Sequence, residues 1–71
     1  MLKDEINLQD IIRSWPWRIK RLGLTQSHFA ENVGLSETVL SFYVSGKRTP
    51  SIPTFEEVEN RLRKMESDLD L

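Results

Sequence analysis

Apolar residues recur along this chain at intervals of three and four, the spacing of helices with one buried face. Leu8, Ile11, Ile12, Trp15, Ile19 and Leu22 form the first such stripe. Pro16 falls within it, lacks an N–H, crowds the carbonyl of Ile12 and disfavours helical geometry at Trp15. Two arrangements remain open: one kinked helix, or a short helix ending near Ser14 and a second beginning at Pro16. A Ser14 cap with Pro16 in the first turn favours the break. Gly23 then stops the segment.

Thr25 suits the N-cap of a helix over residues 26–33, with Phe29, Ala30 and Val33 on one face. Gly34 can take the left-handed conformation of a tight turn. Ser36 caps the next helix, residues 37–45, which turns Leu40 and Tyr43 inward and ends at Gly46. Thr49-Pro50-Ser51-Ile52-Pro53 reads as a loop. Thr54 and Glu57 have capping-box spacing and open a last helix to about Glu66, with Phe55, Val58, Leu62 and Met65 as its stripe. Residues 67–71 read as a frayed tail. No alternating stretch suggests a strand, so the expectation is a single all-α domain over residues 1–71, compact, with four to five helices.

Composition narrows the function classes. An apolar fraction of 38% and a charged fraction of 30% belong to a soluble globular chain. Without cysteine there is no disulfide or thiolate metal site, and the single histidine, His28, makes no metal cluster. No apolar run has membrane-spanning length, and Asp4 and Glu5 do not fit a secretory leader, so a cytoplasmic protein is expected. No cofactor, small-molecule ligand or enzymatic activity is expected: Ser14, Ser27 and Ser36 lack an accompanying base and acid, and Glu56-Glu57 reads as helix-start chemistry.

The net charge of −1 runs against a nucleic-acid partner, but its distribution does not. Lys3, Asp4, Glu5 and Asp10 leave residues 1–12 at −2. Arg13, Arg18, Lys20, Arg21, Lys47 and Arg48 outweigh Glu31 and Glu37, so residues 13–48 stand at +4. Arg61, Arg63 and Lys64 against six acids leave residues 49–71 at −3. Salt screens charges beyond about 8–10 Å, so a basic middle can meet a phosphate backbone despite acidic ends.

The central unit is the pair of short helices around Gly34-Leu35-Ser36, residues 26–45. Gly34 permits a steep turn, and Ala30 lets the second helix cross closely. Ser36, Glu37, Thr38, Ser41, Phe42 and Ser45 are left on the outward side, where the start of the helix can reach base edges in a major groove. Glu37 can accept from cytosine N4, Phe42 and Val39 can meet thymine methyls, and Thr38 and Ser41 can donate or accept. Phe42 equally suits the core or a dimer contact. No Arg or Lys lies between Glu37 and Ser45, so the commonest guanine contact is absent from this helix.

In L-G-L-T-Q-x-x-F-A-x-x-V-G-L-S from Leu22, and in the closing S-G-K-R-T-P-S from Ser45, the chain resembles the phage-repressor and Cro-like (XRE-type) helix-turn-helix regulators. The resemblance implies a lambda-repressor-like fold and a sequence-specific, DNA-binding transcriptional regulator, a repressor of phage or prophage type that holds double-stranded operator DNA as a homodimer. It implies that Gln26 anchors a phosphate and braces the recognition helix. Glu37, Thr38, Ser41 and Phe42 would then face bases, and Ser45, Lys47 and Arg48 the backbone. The chain departs from the family pattern at Pro16 in the first helix, and at Val44, where the family often carries an acid paired to a base on that helix.

A competing reading is a protein-interaction module on the same scaffold, an adaptor or antitoxin-type partner, to which the acidic ends, Phe42 and Trp17 lend themselves. Trp15 reads as core. Trp17 lies off the stripe, at the domain edge or a subunit contact. Lys47 and Arg48 also suit a plain helix C-terminus, where cations meet the dipole favourably.

Overall fold

The computed structural model describes residues 7–69, which form four helices and no strand. The first, α1 (Leu8–Arg21), is one continuous helix that runs through Pro16. The break expected near Ser14 does not occur. Ser14 is no cap: its hydroxyl donates to the Ile11 carbonyl of the preceding turn at 2.6 Å. Asn7 caps instead, its side chain accepting from the Gln9 N–H at 2.9 Å. Ile12, Trp15 and Ile19 are all buried in one core, on both sides of Pro16. A break between them would swing half of that stripe away from its partners, and its burial outweighs one missing helical hydrogen bond.

The next helices, α2 (Gln26–Asn32) and α3 (Glu37–Ser45), start as the sequence indicates. Thr25 accepts from His28 N–H and Ser36 from Val39 N–H, both at 3.1 Å. The ends of α1 and α2 share one construction. Gly23 and Gly34 each take φ +79°, and the leucine after each returns its N–H into the helix just left. Leu24 donates to Ile19 O at 3.3 Å, and Leu35 to Ala30 O at 2.8 Å. Both leucines pack against the core, the apolar contact that usually accompanies this helix ending. Two identical ends, each followed by a hydroxyl cap, aim three helices in succession.

The last helix, α4 (Ile52–Leu69), begins ahead of the expected Thr54 cap. Ser51 takes that role: its Oγ accepts from Thr54 N–H at 3.3 Å and donates to Thr54 Oγ1 at 3.0 Å. Pro53 fits inside the first turn, where no N–H is needed. At its other end α4 runs past Glu66 through Leu69; Asp70 and Leu71, the end of the expected tail, lie outside the described residues.

The core gathers Ile12, Trp15 and Ile19 of α1, Phe29 and Ala30 of α2, Leu40 and Tyr43 of α3, and Phe55, Val58 and Leu62 of α4. Trp15, fully buried, stacks on Phe55 with ring centroids 5.7 Å apart. Beside this stack lies a polar seam between α1 and α4. Arg18 donates from Nη1 to Glu59 at 2.9 Å, and from Nε and Nη2 to the two oxygens of Glu66 at 2.8 and 2.9 Å. Glu59, only 7% exposed, also accepts from Trp15 Nε1 and from Arg63 Nε, each at 3.0 Å. Burial works against the Glu59 charge, but the bonds from Arg18, Trp15 and Arg63 prevail and hold its carboxyl below the ordinary value. For Glu66 the Arg18 bond dominates and again lowers it, while the same bond, against burial, raises Arg18. Among the described residues no buried side-chain polar atom lacks a partner.

Candidate nucleic-acid interface

Leu40 and Tyr43 bury one side of α3, and the opposite side faces solvent. Glu37, Thr38 and Ser41 are exposed there. Ser36, at the near end, is exposed but already occupied in capping. Ser45, at the far end, donates back to the Phe42 carbonyl at 3.2 Å. Val39 and Val44 are half-buried against the core, so Val39 is less free to meet a thymine methyl than its sequence position suggests. Gln26 is the first residue of α2 and is half-buried.

Gly46, at φ +84°, ends α3 and turns the chain back. The N–H groups of Lys47 and Arg48 both donate to the Phe42 carbonyl, at 2.9 and 3.2 Å. This return carries the two cations over the Phe42 ring, each 6.0 Å from its centroid. Phe42 is half-buried and has two cations near its ring, so it is not an open apolar projection. The free ends of Lys47 and Arg48 stay exposed, so the far end of α3 is rimmed with positive charge while its first turn carries Glu37.

A helix-turn-helix family profile matches residues 17–68, a span that contains α2, α3, the turn between them and nearly all of α4. The protein belongs to the phage-repressor and Cro-like (XRE-type) helix-turn-helix family. No curated protein and no solved structure shows a significant match to it. Membership makes this all-α domain a lambda-repressor-like fold and a DNA-binding helix-turn-helix regulator, of a family not typically enzymatic. Among the described residues no helix is long and apolar enough to cross a membrane.

This helix-turn-helix protein has an ion pair inside, but not between the first and third helices. Val44 leaves α3 without the acid common in the family, and Arg18 of α1 turns to Glu59 and Glu66 of α4 instead. Sequence reasoning missed this seam, although Glu59 lies on the stripe of Phe55, Val58 and Leu62. It also missed the pairing of Lys47 and Arg48 with Phe42, for which the glycine turn at Gly46 was the available signal. Trp17, 54% exposed, stands on the outer side of α1 with the Arg21 guanidinium 5.3 Å from its ring centre.

Proposed function

We propose that this protein is a repressor that occupies operator DNA as a homodimer, with α3 in the major groove. The observation that carries the reading is the exposure of Thr38 and Ser41 on a helix whose other side is locked into the core. In this reading Glu37, Thr38 and Ser41 meet base edges, with Ser36 and Phe42 beside them. Gln26, Ser45, Lys47 and Arg48 hold the backbone. Repression follows from occupancy, since a protein seated on an operator excludes polymerase. With no cation on α3 itself, affinity per protomer is modest and two half-sites are needed for specificity.

An exposed apolar edge favours a second copy. Leu22 and the exposed Leu69 border two hollows, one lined also by Arg21 and Glu66, the other by Leu24, Met65 and Asp68.

Selection from a random duplex library tests the reading, followed by binding at increasing salt and by sedimentation. A two-fold symmetric selected site, affinity falling steeply with salt, and a mass of two protomers are expected. If no duplex binds above background at low salt, the regulator reading fails and the protein-interaction reading replaces it.

A further inference from the structure

We infer that Phe42 is a positioning residue whose ring holds Lys47 and Arg48 in place for phosphate, and not a reader of thymine methyl groups. The inference rests on the proposed DNA-binding reading of α3, but its structural half stands without it.

Three helices here end on a glycine with positive φ, at Gly23, Gly34 and Gly46. In each, the N–H of the next residue returns to a carbonyl four positions before the glycine: Leu24 to Ile19, Leu35 to Ala30, Lys47 to Phe42. This ending normally closes with an apolar contact between the returning side chain and the helix, and Leu24 and Leu35 supply one by packing against the core. The third ending puts a cation in that place. Lys47 returns onto Phe42, and Arg48 follows through a second bond to the same carbonyl.

An aromatic face carries negative potential, so it accepts a cation where an aliphatic side chain would only exclude water. The two charges stand 6.0 Å from the ring centre, at the outer limit of this attraction, on a ring half-covered by protein. Arg and Lys side chains lose much rotamer freedom when they are fixed on a phosphate. Restricting them beforehand on Phe42 reduces what is lost on binding. A ring engaged in this way has its face turned to its own cations and not to a base.

The test uses the full chain, a generic duplex at low salt, and four substitutions. Phe42→Leu keeps the apolar volume and loses the aromatic face; Phe42→Tyr keeps the face. We expect Phe42→Tyr to bind within about twofold of the unmodified protein, and Phe42→Leu to lose about fivefold. In a Lys47→Ala, Arg48→Ala background Phe42→Leu should cost nothing further. An equal loss in both backgrounds, or a loss in neither, overturns the inference. Proton spectra of the free protein provide a readout independent of DNA. The Lys47 ε-methylene and Arg48 δ-methylene protons should be shifted upfield by the ring and revert in Phe42→Leu; ordinary shifts in the unmodified protein overturn the inference. If the unmodified protein binds no duplex, the DNA reading fails while these shifts still decide whether the ring holds its cations.

Discussion

The indole Nε1 of Trp15 donates to Oε1 of Glu59 at 3.0 Å, joining positions 44 apart in sequence within the seam between α1 and α4. The same carboxylate oxygen receives Arg18 Nη1, so one buried acid ties together the largest core side chain and a cation whose side chain is only 12% exposed. The seam holds the long α4 against α1, and α1 in turn supports α3 through the core and through the Gln9 side chain, which donates to Tyr43 O at 3.4 Å.

Removing Glu59 should therefore cost more than removing any exposed acid. Glu59→Ala leaves Arg18 with one partner fewer and the indole N–H without its acceptor, a loss of about 3 kcal/mol. In a domain this small that is a large share of a total of roughly 5–15 kcal/mol. The urea midpoint should fall sharply, whereas Glu56→Ala, exposed on the outer side of α4, should leave it nearly unchanged.

Acid should act through the same seam. Glu59 and Glu66 are held below the ordinary carboxyl value of 4.5, so the unfolded chain takes up their protons first as pH falls. The stability they contribute is complete well above that value. It is lost progressively below about pH 5, as pH drops toward their folded values. Urea midpoints measured from pH 7 to pH 3 should show this decline, and Glu59→Gln with Glu66→Gln should flatten it.

Pro16 offers a gain. It sits in the interior of α1, where proline is about 3 kcal/mol less favourable than alanine in an unconstrained helix. Pro16→Ala should restore a donor to the Ile12 carbonyl and raise stability by about 1 kcal/mol or more, read as a higher melting temperature. A lower one would mean that the ring's packing outweighs the missing bond.

The turn between α2 and α3 can be probed without crowding. A Cβ on Gly34 would meet nothing within 4 Å, so the cost of Gly34→Ala is conformational alone. At φ +79° that is about 1–2 kcal/mol. Denaturation should show that loss with an unchanged helical spectrum.

What could be read from the residues follows from the range of the forces involved. Thr25, Gly34, Ser36 and Gly46 act within a few positions of themselves, and so the bounds they indicate match α3 to the residue and α2 to within one. The exposure of Thr38 and Ser41 opposite Leu40 and Tyr43 is likewise a matter of helical period. Pro16 reads as a break because its tolerance depends on Ile12, Trp15 and Ile19 sharing one core, which lies beyond the reach of local signals. Ser51 and Thr54, three residues apart, are both plausible caps, and only tertiary packing chooses between them. Glu59 looked like one acid among several in α4; its burial becomes visible only once Trp15 and Arg18 face it. Phe42 reads from the residues equally as a base contact, core or a dimer contact; Gly46 signals a turn, but which cations that turn brings to the ring depends on the path of the backbone.

The most direct test of the central claim is amide chemical-shift mapping of the labelled protein during titration with its selected duplex. The largest changes should fall on Gln26, on residues 36–45, and on Lys47 and Arg48, with the outer side of α4 around Glu56 and Asn60 unmoved. Changes centred on α4 or around Trp17, with Thr38 and Ser41 unaffected, would contradict it.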